Sequence, residues 1–184
     1  GTGEELRRLE GHTGAVTCVD LDDGEGTLVS GSIDGTARKW DLMSYSLLAT
    51  FEGHEKMVTS VAICERFGAL LTGCADGTIR KWDFATGAHT ATFEGHRLIV
   101  TSLACYGEEG VVFSGSGDRT VRKWDVATGE LLQTLVGHAL PVTCVTIDPG
   151  QGALYSGEFG GDVVRVWDLA SGALLETQKA APEM

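Results

Sequence analysis

The sequence predicts an all-β chain, assembled from four copies of one four-stranded antiparallel unit. Two motifs establish the repeat. Gly-His pairs end at His12, His54, His96 and His138, each 42 residues after the last, and Trp-Asp pairs begin at Trp40, Trp82, Trp124 and Trp167. Coincident periods of this length mark an architecture in which each unit buries its faces against its neighbours. A third observation is local. Runs of four to seven residues rich in Val, Ile, Leu and Thr alternate with Gly/Asp/Ser turns, and no segment sustains a helical apolar period.

Taken in order, TGEELRRLEGH (2–12) aligns with TGELLQTLVGH (128–138), so residues 2–10 read as an orphan strand d, with no strands a to c before it. Repeat 1 spans 11–52. Its strand a is the alternating run AVTCVDL, strand b is TLVSGS, strand c is TARKW and strand d is SLLATFEGH, joined by the turns DDGEG and IDG. Repeats 2 (53–94), 3 (95–136) and 4 (137–179) follow the same order. The last strand d is the poorest, with Gln178 where the others place Leu9, Phe51, Phe93 and Leu135. A sheet this small is marginal alone and must pack on neighbours.

The spacing from Gly-His to Trp-Asp, with Asp in the intervening turn, resembles the WD-repeat β-propeller family over essentially the whole chain. The resemblance implies blades of four antiparallel strands packed radially about a channel. Most members of that family carry more than four blades. The chain therefore reads as a fragment of a seven- or eight-bladed ring, or as half of a ring completed by a second copy. Both readings rank above four blades closing alone. Gly1 in first place fits a chain cut from something longer.

The resemblance also implies a hydrogen-bonded tetrad in each blade. Its members are His12, Ser30, Asp34 and Trp40, then His54, Thr72, Asp76 and Trp82, then His96, Ser114, Asp118 and Trp124. The imidazole donates to the turn carboxylate, its other nitrogen meets the hydroxyl, and the hydroxyl accepts from the indole, so each buried polar group is satisfied. The fourth unit departs. SGEFGGDVVRVWD is one residue longer than SGSGDRTVRKWD, so Asp162 falls one position late; the tetrad of His138, Ser156, Asp162 and Trp167 is expected to be incomplete. A Ser-His-Asp set also invites a catalytic reading. Here the hydroxyl lies mid-strand, committed to an indole, and near-identical copies are a poor way to build one active site. No catalytic residue, cofactor or metal is expected, since histidines 42 residues apart have no ligand spacing.

Composition narrows the partners. Twenty-six acidic against 14 basic residues give a net charge of -12, which disfavours nucleic acid and anionic lipid. No apolar run approaches the ~18 residues of a membrane span. The residues shown open with no charged leader, and an intracellular setting, cytoplasmic or nuclear, is expected. Five cysteines (Cys18, Cys64, Cys74, Cys105 and Cys144) mostly lie in apolar strand-like stretches and are expected to be buried and reduced. Lys39, Lys81 and Lys123 precede Trp, with Val166 in the fourth copy; their stems are expected to pack on the sheet with the ammonium out in solvent.

In the resembled family the end carrying the d–a loops and b–c turns usually meets partners. By position, that rim comprises Ala15, Met57, Ile99 and Pro141, then Thr17, Thr59, Thr101 and Thr143, then Ile33, Ala75 and Gly117, with Arg97 the one basic group nearby. It is apolar or neutral, suited to a peptide or protein anchor. Packing the channel wall is the competing role for Ala15 and the threonines. The opposite end is acidic through Asp20, Asp22, Asp23, Glu25, Glu108 and Glu109. The expected function is a non-catalytic protein-interaction scaffold. The alternatives are a substrate-recognition subunit of a complex such as a ubiquitin ligase, or an accessory domain of an enzyme whose catalytic part lies elsewhere. The first alternative is weakened because no Trp-Asp pair is followed two residues on by Arg.

Overall fold

The computed structural model describes residues 7–22, 24–161 and 163–179. Four antiparallel four-stranded sheets follow one another, each with its strands in chain order. The first holds β1 (Val16–Asp22), β2 (Thr27–Ser32), β3 (Ala37–Asp41) and β4 (Leu47–Phe51). The second holds β5 (Val58–Cys64), β6 (Ala69–Cys74), β7 (Ile79–Asp83) and β8 (His89–Phe93). The third holds β9 (Val100–Tyr106), β10 (Val111–Ser116), β11 (Thr120–Asp125) and β12 (Leu131–Val136). The fourth holds β13 (Val142–Asp148), β14 (Ala153–Glu158), β15 (Val163–Asp168) and β16 (Leu174–Lys179). The one helical element among the described residues is a 3-10 turn, Glu65–Phe67. The expected all-β class holds. The orphan strand d does not appear in residues 7–10, which carry no strand; residues 2–6 lie outside the described residues.

The core is a series of apolar layers between successive sheets. Val29, Phe51, Val58, Leu70 and Trp82 fill the first layer. Leu71, Ile79, Phe93, Val100 and Trp124 fill the second, and Phe113, Val121, Val142, Leu154 and Trp167 the third. Among the described residues no such layer joins the fourth sheet to the first. β6 and β10 are buried along their whole length because they are covered on both faces. A run such as ALLTGC can therefore be apolar without alternating.

The Gly-His glycine has a local cause. At Gly11, Gly53 and Gly95 the backbone takes φ of 154°, 143° and 153°, a region that disfavours side chains. A Cβ on Gly11 would also lie 2.1 Å from Arg38 Nη1. The motif keeps Gly because a strand-c arginine closes over it.

Two sets of side chains tie the sheets together. In each sheet the pairing of strands a and b slips at one residue: Thr17, Thr59, Thr101 and Thr143 are the extra residues of β-bulges. A bulge re-aims its side chain. Thr17 Oγ1 donates to Val58 O at 2.6 Å and Thr101 Oγ1 to Val142 O at 2.8 Å, each on the next sheet; Thr59 Oγ1 does the same to Val100 O. The lysines form the second set, and they do not extend into solvent as expected. Lys39 Nζ sits 3.6 Å from the Phe84 ring centroid and 2.7 Å from Glu25 Oε2. Lys123 Nζ donates to Leu169 O at 3.1 Å. In each case the turn after the following Trp-Asp pair offers the ammonium a ring or a carbonyl.

The cysteine expectation also needs correction. Cys64 and Cys105, at the ends of β5 and β9, form a disulfide with Cα atoms 6.0 Å apart, stapling the second sheet to the third. Cys18, Cys74 and Cys144 are free, and Cys144 is exposed.

Candidate protein-interaction site

The polar chains that brace the loops come first, because they decide which side chains remain available. In the first sheet Trp40 Nε1 donates to Ser30 Oγ at 2.8 Å, His12 Nε2 lies 2.8 Å from the same hydroxyl, and His12 Nδ1 lies 2.9 Å from Asp34 Oδ2. A carboxylate only accepts, so Nδ1 carries the proton and Nε2 accepts from the serine. The third sheet repeats this. Trp124 meets Ser114 at 2.8 Å, Ser114 meets His96 at 2.7 Å, and His96 meets Asp118 at 2.8 Å. Burial raises the Asp118 carboxyl, but hydrogen bonds from Thr120 and His96 outweigh it and hold the group at about 2. Burial holds His96 below the usual imidazole range against the pull of Asp118.

The second and fourth chains differ from expectation. Trp82 donates to Thr72 at 2.9 Å and His54 Nε2 lies 2.6 Å from that hydroxyl, but the link to Asp76 is open. His54 Nδ1 is buried without a hydrogen-bond partner, while Asp76 Oδ1 accepts from Thr78 Oγ1 at 2.7 Å. Burial, then the Arg80 cation, lowers the His54 imidazole to about 4. In the fourth sheet the expected gap is filled by another residue. Asp162 lies outside the described residues, and Glu158 supplies the carboxylate, with Oε2 2.8 Å from His138 Nδ1 and 2.9 Å from Arg165 Nη1. Ser156 completes the chain, accepting from Trp167 Nε1 at 2.8 Å and lying 2.6 Å from His138 Nε2. The signal was readable: Glu158 stands where the earlier copies carry Ser32, Cys74 and Ser116.

The same turns form one end of each sheet. Residues three after the histidine meet those at the b–c turn through the backbone. Ile33 N donates to Ala15 O at 2.9 Å, Ala75 N to Met57 O at 3.1 Å, and Gly117 N to Ile99 O at 3.0 Å. In the fourth sheet Phe159 N donates to Pro141 O at 2.8 Å, so Phe159 is the missing member of the series. The added residue in that turn concealed it. Ile33 is 52% exposed, Met57 38% and Phe159 69%; Leu98 and Leu140, also missed, are exposed beside them. Ala15 and Arg97 are exposed, Ala75, Ile99 and Pro141 are half-buried, and Gly117 is buried. Thr17, Thr59 and Thr101 spend their hydroxyls on the next sheet, and Thr143 Oγ1 donates to Gly157 O at 3.3 Å.

The opposite end is less uniformly acidic than its letters. Asp20 Oδ2 accepts from Ile63 N at 2.8 Å, Asp22 is buried, and Glu25 pairs with Lys39. Glu108 and Glu109 are exposed, and Asp23 lies outside the described residues.

Sheets in chain order, each braced by an indole-hydroxyl-imidazole chain and presenting its turns at one end, are the blades of a propeller-type interaction protein. The chain belongs to the WD40 family: the profile described as WD domain, G-beta repeat matches residues 3–41, 45–83, 87–125 and 129–168. WD40 repeat domains generally serve as protein-interaction scaffolds and are typically non-catalytic. The solved structures "Structure of U3-55K" and "Crystal structure of RRP9 WD40 repeats" are similar, each with TM-score 0.83 and 28% identity over 92% of this chain. The chain spans 53% and 52% of their lengths, about half. Eukaryotic translation initiation factor 3 subunit I of Xenopus tropicalis is 47% identical over 47 residues, 26% of this chain and 14% of that protein. Mitochondrial division protein 1 of Emericella nidulans is 42% identical over 40 residues, 22% of this chain and 6% of that protein. These curated likenesses are about one repeat long.

Proposed function

We propose that this chain is a non-catalytic scaffold that captures a peptide or protein segment on the end formed by its d–a loops and b–c turns. The observation that carries the reading is the row Ile33, Met57, Leu98, Leu140 and Phe159, large apolar side chains left exposed on braced turns. A rigid apolar rim favours binding because little ordering remains to be done when a partner docks. Apart from His54 Nδ1, the histidine nitrogens and hydroxyls that resemble catalytic groups are occupied in the bracing chains, which supports a non-catalytic reading of these residues. Membership of a larger complex, the substrate-recognition reading among its forms, is supported by relatives named as subunits. Net charge supports protein rather than nucleic-acid partners. An intracellular setting fits those relatives, whereas the Cys64–Cys105 bond is commoner in oxidising compartments.

The test is affinity capture with quantitative mass spectrometry. Replacing Met57 and Phe159 with Asp is expected to remove most captured proteins while the circular dichroism spectrum is retained. Glu108→Lys with Glu109→Lys, at the opposite end, is expected to leave the captured set intact. The reverse pattern would assign binding to the acidic end.

A further inference from the structure

We infer that the b–c turn of the second blade is a binding site for a divalent cation of the zinc class, with His54 Nδ1, Cys74 Sγ and a carboxylate oxygen of Asp76 as ligands. The three atoms lie within 4.8 Å of one another. Tetrahedral ligands at ~2.0–2.3 Å from zinc are separated by about 3.3–3.8 Å, so side-chain rotation of about 1 Å closes the set, and water supplies the fourth position. Nitrogen, thiolate and carboxylate together are a donor set that suits zinc.

Comparison of the four copies singles this turn out. In the first, third and fourth blades the same imidazole nitrogen meets a carboxylate at 2.9, 2.8 and 2.8 Å. In the second that nitrogen is buried with no partner. A buried polar atom left in this state ordinarily costs ~1–3 kcal/mol, and a ligand would relieve it. The position beside it also changes. Ser32 and Ser116 hold the turn by accepting from the backbone N–H of Asp34 and Asp118, both at 3.1 Å. Cys74 replaces them with a thiol that is 0% exposed.

The proton balance closes locally. On binding, the Cys74 S–H bond breaks and its proton goes to solvent, with no redox change. The imidazole carries its proton on Nε2, which donates to Thr72 Oγ1, 2.6 Å away. Thr72 in turn donates to Arg80 O, 3.5 Å away, while still accepting from Trp82. A ligating histidine commonly donates its second N–H in this way. Arg80 opposes a cation here, but the thiolate and Asp76 together bring two negative charges against its one.

The experiment uses the intact chain with Zn2+ and Co2+ alone as probes. About one Zn2+ per chain is expected after dialysis. Cobalt is expected to show a near-ultraviolet thiolate charge-transfer band and the visible bands of a tetrahedral ion. Cys74→Ser places the residue of the first and third copies at this position, so the fold is kept. It is expected to weaken binding at least about 100-fold and remove the charge-transfer band. Asp76→Asn is expected to weaken binding as well, and Cys144→Ser, which removes the exposed thiol, to change nothing. Zinc is expected to raise the Tm of the natural chain and not that of Cys74→Ser. No retained zinc, or binding that survives Cys74→Ser, or binding lost in Cys144→Ser, would each overturn the assignment.

Discussion

At the scale of single residues, the four bracing chains are one device in three states of completion. Asp118 holds His96, Thr120 and the backbone of Arg97, whereas Asp76 holds its own turn through Thr78 and leaves His54 open. The two sites share His, Asp and Trp but differ at Thr72 against Ser114 and at Cys74 against Ser116, so the energetic difference tests the geometry that these changes accompany. In metal-free buffer, Asp118→Ala is expected to cost about 2–3 kcal/mol in urea unfolding, since it strands a buried imidazole. Asp76→Ala is expected to cost less than half as much. Equal losses would mean that Asp76 closes on His54 in solution. A second expectation follows from burial. His96 and His138 are held below the usual imidazole range by desolvation. The unfolded chain therefore binds more protons than the folded one below pH ~6.5, and acidification favours unfolding. The carboxylates act lower: Asp118, at about 2, loses its contribution only as pH falls below ~4. Tm is thus expected to decline in two steps, the first setting in as pH falls through ~6.5, the unfolded imidazole value. A Tm flat from pH 7 to 5 would contradict the buried neutral imidazoles.

At the scale of elements, the repeat period made most of the fold legible. Strand order, strand class and the Trp-bearing strand c all follow from positions such as Trp40, Trp82 and Trp124, because a unit that cannot bury itself alone must stack. What stayed hidden depends on contacts between blades or on single insertions. Lys39 looks like a surface lysine until Phe84 of the next blade lies under it. Cys64 and Cys105 share no local motif, being 41 residues apart, and meet because strands a of adjacent blades run side by side. Phe159 and Glu158 keep the 42-residue spacing of the earlier copies, but the residue added after them, before Trp167, breaks the register counted back from the Trp-Asp pair. Copy-to-copy comparison also exposes a flaw that can be repaired. Gly35 and Gly77 take φ of 81° and 90° in the b–c turn, and Arg119 occupies the same slot in the third blade at φ 70°. A non-glycine residue there costs ~1–2 kcal/mol, offset by the greater freedom glycine has when unfolded. Arg119→Gly is expected to stabilise the chain by about 0.5–1 kcal/mol in urea unfolding. A loss of stability would show that the arginine side chain makes compensating contacts.

At the scale of the whole molecule, equivalent strands meet unequal surroundings. Val58, Val100 and Val142 are all 0% exposed because the preceding blade covers them, but Val16 of β1 is 53% exposed. Val19 is 60% exposed where its counterparts Val61 and Val145 are buried. The mirror deficit lies on the fourth blade, where Val164 is 42% exposed although Ala37, Ile79 and Val121 at the same position are fully covered. One face is built to be covered by a preceding blade and the other by a following one, so each fits the opposite end of a second copy. Contiguous apolar faces of this kind drive association, and a head-to-tail contact closes into a ring only if its rotation permits. Isolated as these 184 residues, the chain is expected to scatter light above its monomer mass of 19.4 kDa, with a closed two-copy ring at twice that value. Val19→Asp and Val164→Asp, each alone, are expected to return it to the monomer mass, since either charge spoils the single kind of contact. Val164 and the polar Gln178 make the fourth face the poorer receiver, so association is expected to weaken on dilution into the low micromolar range. A natural chain that stays monomeric at high concentration would mean that these faces are tolerated in water, and a mass unaffected by Val19→Asp would place the contact elsewhere.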